Sequence, residues 1–221
     1  VHSTGSYRPR GRLIVGVLVA FALAGPHFVQ AQQAQSNPSA PASAEGDSTE
    51  SERAESIRRQ LVFALSAYHG APTRDALDAI GAPDLVASHL RDLARTNKLR
   101  PSMRLRAVDM LGHYRDAKTV AFLGRVVDEP ASVAVREPRQ LELLHHHAIA
   151  SFARIRGEQA VAKLAPLVVA GDLQLRLTAV TALGRFGGPA GRKRLYDLRT
   201  SIDDPVVLRT LNKYVVRPSK E

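Results

Sequence analysis

Leu175-Arg176-Leu177-Thr178-Ala179-Val180-Thr181-Ala182-Leu183-Gly184 decides the fold, because a weaker copy of it returns along the chain at a nearly constant interval. Read as a helix, it sets Leu175, Ala179, Ala182 and Leu183 at i, i+4, i+7 and i+8. That is one apolar stripe, with small alanines where neighbouring helices come close. The closing glycine is expected to end the helix. Copies beginning at Pro72, Met103 and Leu144 align with it without gaps, and Val207 opens a further one; these anchors lie 31, 41, 31 and 32 residues apart. A second apolar segment follows each copy, at Leu85 to Leu93, Val120 to Val127, Val161 to Val169 and, more weakly, Leu195 to Leu198. Two helices repeated at such a period predict an all-α fold, an α-solenoid of about four to five helix pairs.

The copies resemble HEAT repeats, in particular the short HEAT-like repeats first recognised in phycobilisome lyases, whose unit runs D-P-x-V-R-x-x-A-A-x-A-L-G-x-[LI]-G. Asp204-Pro205-Val206-Val207 matches the opening of that unit, Leu175-Arg176 and Met103-Arg104 its V-R step, and Ala182-Leu183-Gly184-Arg185-Phe186-Gly187 its close. The resemblance spans about 57 to 215. It departs where Leu144 is followed by His145 and where Ala153 replaces the glycine. What it implies is a stack of helix pairs whose first helices line a concave surface. Lyase chemistry does not follow, since function belongs to a site and not to a repeat type.

Of 221 residues, 44% are hydrophobic but only 5% are aromatic and none is Trp, so the core has to be built from Ala, Leu and Val. That composition suits closely packed helices. Cysteine is absent, which excludes disulfides, thiolate metal sites and a cysteine nucleophile.

Three arginines, Arg8, Arg10 and Arg12, precede the apolar run Leu13 to Gly25 and then Val29-Gln30-Ala31. This is the order of a secretory signal peptide, with cleavage expected after Ala31 and a periplasmic or secreted location. The alternative, an uncleaved membrane anchor, needs about 20 apolar residues, more than the run supplies. Residues 32–50, rich in Gln, Ala, Ser and Pro, read as a disordered linker. Residues 51–216 read as the solenoid and 217–221 as a frayed tail.

Within the body, helices are expected over 51–68, 73–80, 84–96, 102–113, 116–128, 140–155, 158–169, 173–186, 189–200 and 204–215. Asp116 is placed to cap one of them, and Pro205 to occupy the first turn of the last. Residues 129–139, with two prolines, fill the one over-long interval. An insertion in a repeat array becomes a loop on one face, which either contacts a partner or is neutral length variation.

Catalytic signatures are missing. Ser151 lies inside a predicted helix without a nucleophile elbow, and the Gly187 to Gly191 segment lacks the features of a phosphate loop. No cofactor is expected, and the chain reads as a non-enzyme. His145-His146-His147 is the tempting cluster: Glu142 with His145 or His146 has helical ligand spacing, so Glu142, His145 and His146 are the candidate metal ligands. They fall short of a complete zinc sphere.

Charge carries the remaining functional signal. The chain has a formal net charge of +10, and the acids between Glu45 and Glu55 precede a body with a clear basic excess. Arginines recur in repeat register: Arg104 and Arg176 follow the anchor, Arg185 lies near the helix end, and Arg154 and Arg156 stand in the odd copy. On the surface that the resemblance implies, Arg106, Asp109, His146, His147, Thr178 and Thr181 would project. The expectation is a non-catalytic scaffold or adaptor that binds an acidic protein through Arg104, Arg106, Asp109, His146, His147, Arg176, Thr178, Thr181 and Arg185. Two alternatives stand beside it: a metal-dependent envelope protein built on the histidines, and a binder of anionic lipid, envelope polymer or nucleic acid. Export and the scarcity of aromatic stacking residues weigh against nucleic acid.

Overall fold

The computed structural model describes residues 44–67, 70–135 and 137–215, with side chains from residue 50 onward. Every regular element in it is helical. The α-helices are α1 (Ala44–Ser66), α2 (Arg74–Asp78), α3 (Pro83–Arg95), α4 (Pro101–Leu111), α5 (Ala117–Asp128), α6 (Pro138–Arg156), α7 (Val161–Val169), α8 (Leu173–Phe186), α9 (Gly188–Leu198) and α10 (Pro205–Asn212). The expected signal segment, most of the linker and the tail fall outside the described residues, as does Tyr68.

Local chemistry sets most of these boundaries. Proline occupies the first turn of α3, α4, α6, α9 and α10, where its missing N–H costs nothing. Asp116, Asp172 and Asp204 cap α5, α8 and α10, each accepting a backbone N–H of the first turn. Gly157, at φ +56°, takes the left-handed turn that stops α6.

The apolar stripe packs as its spacing requires. Ala107, Ala148 and Ala179, each four residues after its anchor, have no exposed surface. Their small side chains let α4 pack on α6 and α6 on α8, and α10 follows on α8. Leu111, Leu144, Ile149 and Leu183 fill the space between, and the core is Leu, Val and Ala with little aromatic content. The second helices lie against these: α3 contacts α4, α5 contacts α6, and α7 contacts α8.

Four expectations need correction. Helix pairs were grouped as α4 with α5 and α6 with α7, yet α5 packs more extensively on α6, and α7 on α8, than on the helix before it. Gly184 does not end its helix. It sits buried inside α8, where a Cβ would clash with the Tyr214 ring, so the glycine serves a close approach; the helix ends at Phe186, as the expected range 173–186 has it. Helical structure begins at Ala44, inside the stretch read as linker, where an acid-rich run suits the positive end of a helix dipole. The insertion is no free loop either: Pro130–Ser132 forms a 3-10 turn, and Val133, 2% exposed, joins the core beside α5 and α6.

Candidate functional site

Three of the cationic positions are occupied by the fold itself. Arg104, only 5% exposed, donates Nε–H to the Ala94 carbonyl at 3.1 Å. Arg176 donates Nε–H to the Val168 carbonyl at 3.1 Å. In the odd copy His145 stands at the same register and its Nε2 donates to the Val127 carbonyl at 3.0 Å. Ala94, Val127 and Val168 are each the penultimate residue of α3, α5 and α7. The residue after the anchor is therefore a cap for the orphan carbonyls of the preceding helix, and the two arginines also bring a cation to the negative end of its dipole. Arg106 does the same for α1, donating Nη1–H to the Leu65 and Ala67 carbonyls at 2.8 and 2.5 Å.

Arg104 is thus buried as a cap, which corrects its expected place among partner-binding residues, and Arg106 and Arg176 are half-buried and held by carbonyls of other helices. Sequence register could not separate the two roles, because the accepting carbonyl belongs to another helix.

The register that does define a surface comprises positions three, six and ten after the anchor. On α4 these are Arg106 and Asp109, with His113 in the turn just after it; on α6, His147, Ala150 and Arg154; on α8, Thr178, Thr181 and Arg185. That spacing keeps them on one side of each helix. Contacts run across the series: His147 Nδ1 meets Asp109 Oδ1 at 2.7 Å, and Arg154 Nη1 lies 3.5 Å from His113 Nε2. Burial, then Arg154 and Arg74, hold the His113 imidazole below its ordinary value, with Asp109 opposing them.

Between α6 and α8 this face opens into a groove of roughly 270 Å³, lined by Ala150, Arg154, Leu177, Thr178, Thr181, Ala182, Arg185 and Phe186. The guanidinium carbons of Arg154 and Arg185 lie 5.2 and 5.6 Å from the Phe186 ring centre, within cation–π range. Neither arginine forms an ion pair with a described residue. Thr178, Thr181 and Arg185 are thereby brought together, and Arg154, outside the expected binding set, completes them. The signal for Arg154 was present: it stands ten residues after Leu144, as Arg185 stands ten after Leu175.

Of the expected metal ligands, Glu142 and His146 come together and His145 does not, its Nε2 being engaged by Val127. Asp172, the α8 cap, takes the third position, and the donor atoms of Glu142, His146 and Asp172 lie within 4.8 Å of one another. Burial lowers the His146 pKa against the opposing charges of Glu142 and Asp172.

Ser151 is fully buried in α6. No described helix is long and apolar enough to cross a membrane. Comparison with protein-family models, with curated proteins and with solved structures finds no match to this chain.

Proposed function

We propose that this protein is a HEAT-like α-solenoid that acts as a non-catalytic interaction scaffold, and that an acidic segment of a partner protein docks in the groove between α6 and α8. The observation that carries the reading is the pair Arg154 and Arg185. Both flank one groove with an apolar floor, and neither has a carboxylate partner among the described residues. Arg185 contrasts with Arg104, Arg106 and Arg176, all engaged by carbonyls, while Arg154 makes only a longer 3.4 Å bond to the Asp109 carbonyl and still borders the groove. The succession of α4, α6, α8 and α10 supports the solenoid, and such a stack offers a preformed surface that loses little entropy on binding.

Guanidinium groups beside threonine hydroxyls suit carboxylates by charge-assisted hydrogen bonding, while Leu177, Ala182 and Phe186 accept an apolar side chain of the same segment. Phe186 is already engaged by two guanidiniums, so it is a poor platform for base stacking, and a protein partner is favoured over nucleic acid. The leader reading of residues 1–31 sets this scaffold in the periplasm or cell envelope, which the N-terminal mass of the mature protein tests.

The binding test uses fluorescence anisotropy of a labelled Glu- and Leu-rich peptide on the full chain. Reversal of both arginines, Arg154→Glu with Arg185→Glu, is expected to weaken binding at least about tenfold, or about 1.4 kcal/mol, whereas Lys193→Glu leaves it unchanged. Added salt should weaken the wild-type complex as well. Equal affinity of the double reversal and the wild type would sink the proposed groove.

A further inference from the structure

We propose that Glu142, His146 and Asp172 form a binding site for a divalent first-row transition metal, with zinc its fitting occupant, that ties α6 to the start of α8. Glu142 and His146 are four residues apart and share one face of α6, and Asp172 is the residue from which α8 begins. Their donor atoms lie within 4.8 Å of one another. One imidazole nitrogen and two carboxylate oxygens are ligands that zinc takes at about 2.0 to 2.2 Å, which sets tetrahedral donors about 3.3 Å apart. The required contraction is small. Glu142 is exposed and supplies it by rotation about its side-chain torsions, while Asp172 is already held by the N–H of Leu175 on Oδ1 at 2.8 Å.

The odd copy of the repeat departs from the others at both α6 ligand positions. Two residues before the anchor, Glu142 stands where the neighbouring copies have Pro101 and Leu173. Two residues after it, His146 stands where they have Leu105 and Leu177. Polar ligands thus replace apolar or helix-starting residues at two places in one copy, and those two face the capping aspartate of the next. The flanking histidines are otherwise engaged, His145 with the Val127 carbonyl and His147 with Asp109. A three-ligand site leaves a coordination position for water or for a donor from a partner. The mixed nitrogen and oxygen set favours zinc and its late first-row neighbours over magnesium or calcium, which want oxygen ligands in greater number. The positive end of the α8 dipole opposes a cation, and the two carboxylates offset it.

The experiment is a zinc chloride titration of the tag-free, chelator-treated full chain against a chromophoric competitor. One zinc per chain is expected, with His146→Ala and Asp172→Asn each weakening it at least about tenfold. Asparagine caps a helix as well as aspartate does, so the second variant keeps the start of α8. His147→Ala is expected to leave zinc affinity unchanged. Substoichiometric binding in the wild type, retained affinity in both ligand variants, or an equal loss in His147→Ala would each overturn the site. Because these substitutions lie outside the α6–α8 groove residues, failure here leaves the peptide-binding result standing, and the reverse holds.

Discussion

Arg104 and Arg154 are both arginines on first helices of adjacent copies, and both reach a carbonyl of another helix, yet one is buried there and the other also lines a groove. Arg104, immediately after its anchor, points at the end of α3 and spends its charge on a carbonyl. Arg154, ten residues after its anchor, donates to the Asp109 carbonyl at 3.4 Å, lies 3.5 Å from His113 Nε2 and borders an open groove between α6 and α8. Identical chemistry thus serves two positions: the one after the anchor turns to the end of the preceding helix, and the one ten after it borders the groove where binding is proposed. A basic surface counted from composition would merge them.

The sharpest way to break this distinction is to truncate the capping set. Arg104→Ala removes a buried side chain and orphans the Ala94 carbonyl, and is expected to destabilise the protein by about 2 to 4 kcal/mol in urea denaturation. Arg176→Ala and His145→Ala act on less buried caps and should cost about 1 kcal/mol each. Arg185→Ala should change stability by no more than about 0.5 kcal/mol, and Arg154→Ala, which loses a long bond to the Asp109 carbonyl, by no more than about 1 kcal/mol. Should Arg154→Ala prove as costly as Arg104→Ala, the groove position would be structural too.

A smaller effect sharpens the comparison on the groove side. His113 stands in the same register as Arg154 and Arg185, and burial with the nearby guanidiniums depresses its pKa. Its folded value lies below the unfolded one, so its contribution to stability is complete above about pH 6.5 and is lost as pH falls through the folded value. Denaturation midpoints should therefore drop modestly between pH 7 and pH 5, and His113→Gln should flatten that drop. The Asp116 carboxylate adds its own loss at lower pH. Burial alone would raise its pKa, but bonds from Thr119 and the charge of Arg91 outweigh that and hold it down. A His113→Gln profile identical to the wild type would remove His113 from this account.

How far the sequence could be read follows from the range of each interaction. Helix starts were legible at Asp116 and Pro205 because a cap or a proline acts within one turn. The buried alanines were legible at Ala179 and its counterparts because periodicity reports the inward face. Gly184 misled, since a glycine near a helix end reads as a stop until Tyr214, thirty residues on, is seen against it. The proposed groove was partly legible: Thr178, Thr181 and Arg185 line it, whereas Arg104, Arg106 and Arg176, expected beside them, turn to carbonyls of other helices. Of the candidate metal ligands, Glu142 and His146 come together as their helical spacing suggested, whereas His145 turns to the Val127 carbonyl and Asp172 lies beside the other two.

By itself the sequence determined the helices, their apolar faces and the repeat register, since all of these depend on residues within a few turns of one another. Only the tertiary structure decided which cations border a groove and which donors converge, because a side chain's partner is whatever carbonyl, ring or carboxylate the neighbouring helix brings to it. Arg104 meets α3, Arg154 meets a groove, and His146 meets Asp172 across the α6–α8 contact.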